Sequence, residues 1–179
     1  MAEGLQSPTS MAFLSNNSIL FTQKEDTISK LILDNPTSRE TLLELKDVSS
    51  KNERGLLGIA IYDNIGTISN STSNQENNFS VFIFVTEFSK LMDQETPDLS
   101  NSNELRNRIY KYILDGQFLT NPRMILDLPA GPGSNHQGGK LKIGPDYQLY
   151  AVIGELQRKD SCRILNMTYY LIIVESFSE

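Results

Sequence analysis

Lys140-Leu141-Lys142-Ile143-Gly144-Pro145-Asp146-Tyr147-Gln148-Leu149-Tyr150-Ala151-Val152-Ile153-Gly154 reads as a strand, a tight turn and a second strand. Pro145 fixes its own φ, and Gly144 and Asp146 tolerate turn conformations, so the reversal is well marked. The same form stands near the start of the chain. There Ser10-Met11-Ala12-Phe13-Leu14 and Ser18-Ile19-Leu20-Phe21-Thr22 flank Ser15-Asn16-Asn17, the pattern of a β-hairpin.

Working outward from these two hairpins, the first unit continues through Thr27–Leu33 as a third strand, with Leu42–Val48 as a fourth. A second unit opens on Gly55-Leu56-Leu57-Gly58-Ile59-Ala60-Ile61-Tyr62, apolar throughout, as a strand buried on both faces is. Its partners are Phe79–Thr86 and Arg108–Leu114, the latter ending on an Asp115-Gly116 turn, while residues 63–78 and Leu91–Glu104 are polar enough to be surface loops. The third unit begins near Met124–Leu128 and takes in the opening hairpin. Three hairpin-led units of about 40 to 50 residues are the size of propeller blades. The fold class is therefore all-β, with a β-propeller and a β-sandwich as the competing architectures.

The 179 residues are 39% hydrophobic and 21% charged, an ordinary globular composition that excludes wholesale disorder. A net charge of −6 made of dispersed residues speaks against nucleic acid or an anionic membrane surface as partner. No run approaches the about 20 apolar residues of a membrane span, and Met1-Ala2-Glu3-Gly4 lacks the basic and apolar regions of a signal peptide. Cys162 is the only cysteine, so it forms neither an internal disulfide nor a thiolate cluster and does not report the redox compartment. One histidine and one cysteine speak against a protein-built zinc site, whereas calcium stays open because oxygen ligands abound.

That one histidine, His136, lies between Ala130-Gly131-Pro132-Gly133 and Gly138-Gly139, in a stretch almost free of bulky side chains. Such a loop lets a ligand approach the backbone, and imidazole is the side chain best suited to proton transfer near neutral pH. A histidine bonded to a loop carbonyl is the plainer reading of the same residues. Glu53 and Arg54 precede Gly55 and so stand at the mouth of a buried strand, where they face either a cofactor or substrate or simply solvent. Asn107-Arg108 holds the same position before its own strand. Gly55-Leu56-Leu57-Gly58 lacks the spacing and the following helix of a phosphate-binding loop.

Four segments together carry a family resemblance: Pro8–Leu14, Glu53–Ala60, Asn107–Tyr112, and Asn135–Lys140 continuing through Ile143-Gly144-Pro145-Asp146 to Ile153-Gly154-Glu155. In this order they make the chain similar to the soluble quinoprotein aldose dehydrogenases, the glucose/sorbosone dehydrogenase family. The resemblance implies a six-bladed β-propeller of which this chain covers about the first half. Residues 1–157 are then the N-terminal part of the propeller and 158–179 an aberrant or non-family tail, as a truncated or frameshifted gene or an incomplete assembly gives. An open half leaves strand edges and blade faces uncovered, so the resemblance also implies a poorly stable, aggregation-prone product.

The activity implied is oxidation of an aldose at C1, with hydride passing to pyrroloquinoline quinone (PQQ), an external electron acceptor and calcium completing the system. His136 is implied to be the catalytic base and Glu53 and Arg54 to border the quinone and substrate. At position 53 the family often has glutamine. Gln137 stands where the usual motif has asparagine, and Glu155 where it has aspartate. Calcium ligands and most basic quinone contacts are expected on later blades, so the chain alone is expected to be inactive. A propeller serving as a binding module and a nonfunctional fragment are the alternatives. The family pattern places the protein outside the cell, in the periplasm or on the cell surface; the sugar and the oligomeric state do not follow from it.

Overall fold

Val81, Ile83 and Val85 alternate with Phe82 and Phe84 along one strand, and all five are fully buried. Successive strand side chains point to opposite faces, so such a strand needs apolar cover on both. It has it. The computed structural model, which describes residues 2–64, 79–88, 105–131, 133–156 and 169–176, sets three antiparallel sheets side by side.

The first sheet is β1 (Pro8–Ser15), β2 (Ser18–Gln23), β3 (Thr27–Ile32) and β4 (Asn35–Glu44), each strand paired with the next. The second is β5 (Leu56–Asp63), β6 (Phe79–Phe88), β7 (Leu105–Asp115) and β8 (Phe118–Pro129), joined in the same order. In the third, β9 (Gly138–Ile143) and β11 (Tyr169–Ser176) flank β10 (Gln148–Gly154). The leading strands β1, β5 and β9 stand next to one another. Three meanders with their first strands adjacent and their faces stacked are consecutive propeller blades, which decides against the sandwich.

Two cores fill the spaces between blades. Leu20, Ile28 and Leu42 of the first sheet meet Ile59, Val81, Ile83, Val85 and Tyr112 of the second. Phe82, Phe84, Ala60 and Ile109 from the other face of the second sheet meet Leu141, Leu149, Ala151 and Ile153 of the third. The outer face of the first sheet holds a smaller cluster of Ile19, Phe21 and Leu31, with Ala2 and Leu5 of the N-terminal arm against it. Between the second and third sheets the backbones come unusually close. A Cβ on Gly58 would lie 1.9 Å from the carbonyl oxygen of Gly139, so only glycine lets β5 and β9 approach.

Two strand assignments made from the sequence change. The fourth strand was expected at Leu42–Val48 but runs Asn35–Glu44, because the β3–β4 hairpin turns directly at Leu33-Asp34. Pro36 is tolerated there since β4 is the outermost strand and needs no partner on its free side. Val48 makes only an isolated bridge to Glu87. Met124–Leu128, expected to open the third unit, belongs to β8 and closes the second: the Asp115-Gly116 turn returns the chain at once, pairing Asp115 with Phe118 and Ile109 with Leu126. The expected loops fall largely outside the described residues, as does most of 158–179; within that tail Tyr169–Ser176 pairs with β10.

Candidate active site

The loop that leads from β8 into β9 carries His136, and its backbone is anchored on both sides. Toward β10, Gly154 N–H donates to the Gln137 carbonyl (3.0 Å), Leu156 N–H to the His136 carbonyl (3.2 Å), and Gly133 N–H to the Leu156 carbonyl (2.9 Å). This docking depends on Gly154, where a Cβ would lie 1.6 Å from the His136 carbonyl oxygen. Toward the second blade, Glu53 N–H donates to the Ser134 carbonyl (3.3 Å), and Asn52 Nδ2 to Ser134 Oγ (2.5 Å). His136 itself has φ of 57°, a left-handed conformation that a non-glycine residue keeps only when its surroundings impose it.

Two carboxylates meet this histidine. Glu53 Oε2 accepts the His136 backbone N–H at 2.5 Å. Glu155 Oε1 takes the ring at Nδ1. An ionised carboxylate can only accept, so the ring is set with its proton on Nδ1 and its lone pair on Nε2. The hydrogen bond that the ring donates to Glu155 raises the imidazole pKa above its ordinary value, desolvation opposes it, and the charges of Glu155 and Glu53 add to the rise. The His136 side chain is 46% exposed and that of Glu155 27%, so the pair is open to a substrate from solvent. A basic, oriented and accessible imidazole is what proton abstraction from a hydroxyl requires.

Glu53 and Arg54 part company in the structure. Glu53 is exposed and beside His136, whereas Arg54 is 5% exposed and turned under the loop, its NH2 donating to the Gly133 carbonyl at 3.0 Å. Arg54 Nε is buried without an acceptor, and burial holds the guanidinium below the usual arginine range. Asn107, read from sequence as a solvated position before a strand, is inside β7 and fully buried, while Arg108 pairs with Glu87 (2.5 Å) and Asp127 (3.1 Å) on the opposite face. Among the described residues no group of three or more His, Cys, Asp or Glu is placed to hold a metal.

The chain as a whole is matched in known proteins. Residues 5–169 match the family described as Glucose / Sorbosone dehydrogenase. The chain belongs to that family. Among solved structures, this family member is similar to the PQQ-bound aldose sugar dehydrogenase of Streptomyces coelicolor, at 27% identity and a TM-score of 0.65 over 88% of this chain and 40% of that one. It is also similar to an oxidoreductase (glucose dehydrogenase) of Thermus thermophilus, at 26% identity and a TM-score of 0.64 over 87% of this chain and 39% of that one. A further glucose dehydrogenase structure, 19% identical with a TM-score of 0.63 over 87% of this chain and 40% of that one, shares the fold. No curated protein matches. This dehydrogenase-family chain thus spans about 40% of the length of the structures it matches.

Sequence reasoning singled out His136 and Glu53, which the structure brings together, but not the contact with Glu155, which is separated from His136 by the whole β9–β10 hairpin. The signal was the acid directly after Ile153-Gly154, at the end of the strand beside the histidine loop. It also missed Gln137 as a buried residue, because a glutamine in a glycine-rich loop carries no burial signature.

Proposed function

We propose that the site serves oxidation of an aldose at C1, with His136 as the general base. The observation that carries this reading is the His136–Glu155 contact, which in the neutral ring directs the proton to Nδ1 and leaves Nε2 as the acceptor, on a half-exposed side chain more basic than an ordinary histidine. The anomeric hydroxyl donates to Nε2 and gives up its proton there, which raises electron density at C1 as hydride departs. The positive charge that develops on the imidazole is met by Glu155, whose carboxylate stays in place throughout. Glu53, held by the His136 N–H, borders the same opening and has an acceptor oxygen for a second sugar hydroxyl.

Bound PQQ supplies the two-electron acceptor for the hydride. Arg54, whose buried Nε–H has no acceptor among the described residues, would supply positive charge behind the loop that favours the cofactor's carboxylates, and it ties down Gly133. The remaining quinone contacts and the calcium ligands are assigned to the later blades that the relatives have beyond the matched portion. External acceptor and export follow the family pattern in this proposal. Dye-linked aldose oxidation by a protein extended through the later blades, the form used for every rate measurement below, with and without added PQQ and calcium tests it: His136→Ala should lower the rate by about 100- to 10,000-fold, and an unchanged rate would sink the assignment.

A further inference from the structure

Behind the His136 loop runs a chain of buried polar side chains with no part in the proton transfer. Thr86 on β6, Asn107 on β7 and Gln137 in the loop are 0%, 0% and 1% exposed. Thr86 Oγ1 donates to Asn107 Oδ1 at 2.7 Å, and Asn107 Nδ2 donates to Gln137 Oε1 at 2.9 Å. Gln137 Nε2 then donates to the carbonyls of Gly133 (3.0 Å) and Asn135 (3.3 Å). The direction of every bond follows from the first: once the Asn107 oxygen takes the hydroxyl, its nitrogen must face the Gln137 oxygen, and the Gln137 nitrogen is left for the loop.

Packing alone does not call for this chain. Phe84 and Ile109, its neighbours along β6 and β7, show that the same sheet face fills its core with apolar groups. A buried amide costs about 1–3 kcal/mol if any of its bonds is left unmade, so a polar chain here makes one loop conformation much better than the others. The carbonyls it grips lie three residues before His136 and immediately before it, and His136 is held at positive φ. Its other end is fixed by the β6–β7 ladder, where Thr86 and Asn107 are direct partners.

We propose that Asn107 and Gln137 are positioning residues for His136, holding the loop so that the imidazole stays on Glu155. The proposal rests on the reading of His136 as the base. The amide is the core of it: Gln137 Oε1 takes Asn107 while its Nε2 holds the loop carbonyls, so an apolar side chain of the same length leaves both ends unmade.

The test uses the full chain and its single histidine, whose NMR titration needs no assignment among several. Gln137→Met keeps the length of the side chain and removes its amide; it is expected to lower the His136 pKa toward the value measured in Glu155→Gln and, in the protein extended through the later blades, to reduce kcat by about 100-fold with KM little changed. Asn107→Leu, which removes the middle of the chain, should do the same. Thr86→Val keeps the shape, removes only the first donor, and should move the titration the same way by less; it serves also if Gln137→Met does not fold. A lower melting temperature with a wild-type His136 titration in these variants overturns the proposal. If the titration responds as expected while even the wild-type protein extended through the later blades, with PQQ and calcium, oxidises no aldose, the positioning role stands and the catalytic reading falls.

Discussion

His136 and Glu155 face each other because the residues on either side of Glu155 are bonded to the histidine loop: Gly154 N–H to the Gln137 carbonyl and Leu156 N–H to the His136 carbonyl. The side-chain contact is thus a product of backbone register, and changes to the carboxylate leave the loop in place. Glu155→Gln should lower the His136 pKa from its raised value. A base must be unprotonated to act, so the acid limb of kcat/KM should shift to lower pH while the plateau falls. A limb that stays where it is in this variant would separate the pH dependence from this pair.

The same contact links stability to pH. With the folded pKa raised above the unfolded one, the His136–Glu155 contribution is fully present below the ordinary histidine value of 6.5 and is lost as pH rises through the folded value. Melting temperature measured across that range should decline more steeply in the wild-type protein than in Glu155→Gln.

Gly154→Ala places a methyl 1.6 Å from the His136 carbonyl oxygen, a backbone atom that cannot turn aside. The loop must lift from β10. We expect a loss of about 1–3 kcal/mol in denaturant unfolding and a His136 titration closer to that of a free imidazole. Wild-type stability and titration together would show the loop to be less tightly docked than this.

Arg108 and Glu87 form a nearly buried ion pair at 2.5 Å, with 11% and 6% of their side chains exposed. Arg108→Met leaves Glu87 charged, hidden and bonded only to neutral partners such as the Tyr110 hydroxyl, and should cost about 3–5 kcal/mol. Adding Glu87→Gln should recover part of that loss. Burial would raise the Asp127 carboxyl, but bonds from Arg106 and Arg108 outweigh it and hold it below its usual 3.8. Asp127 thus contributes stability above that value, and the contribution fades as pH falls through the lower folded value, an acid limb that Asp127→Asn should flatten.

Phe84 lies at the junction of the second and third blades, fully buried and against the Gly139 backbone. Phe84→Ala should destabilise by about 3–5 kcal/mol in a urea titration. Because the strand under the His136 loop packs on it, the histidine titration should move as well, whereas truncating exposed Phe118 should change neither.

The all-β class, the hairpin units and the inner strands were legible in the residues themselves. Apolar runs such as Val81–Val85 leave no polar face for solvent, and turns such as Gly144-Pro145-Asp146 name their own position. His136 stood out as the one imidazole in a glycine-rich loop, but a loop-bonded histidine was the plainer reading of those residues, and it was the ordered motifs that carried the family and with it the base assignment. The outer strands were less legible: β4 and β8 are half exposed and lack a strong pattern, so their limits depend on where the preceding strand ends.

What the chain's own residues determined is therefore the repeated meander and the kind of chemistry on offer. The tertiary structure decided which groups meet. Glu155 reaches His136 only through the pairing of β9 with β10, Asn107 and Gln137 come together only where two blades stack, and Arg54 is buried beneath the loop that Glu53 faces. Hydrogen bonds between residues distant in sequence are set by blade packing, whose geometry sums many apolar contacts and is written in no single motif.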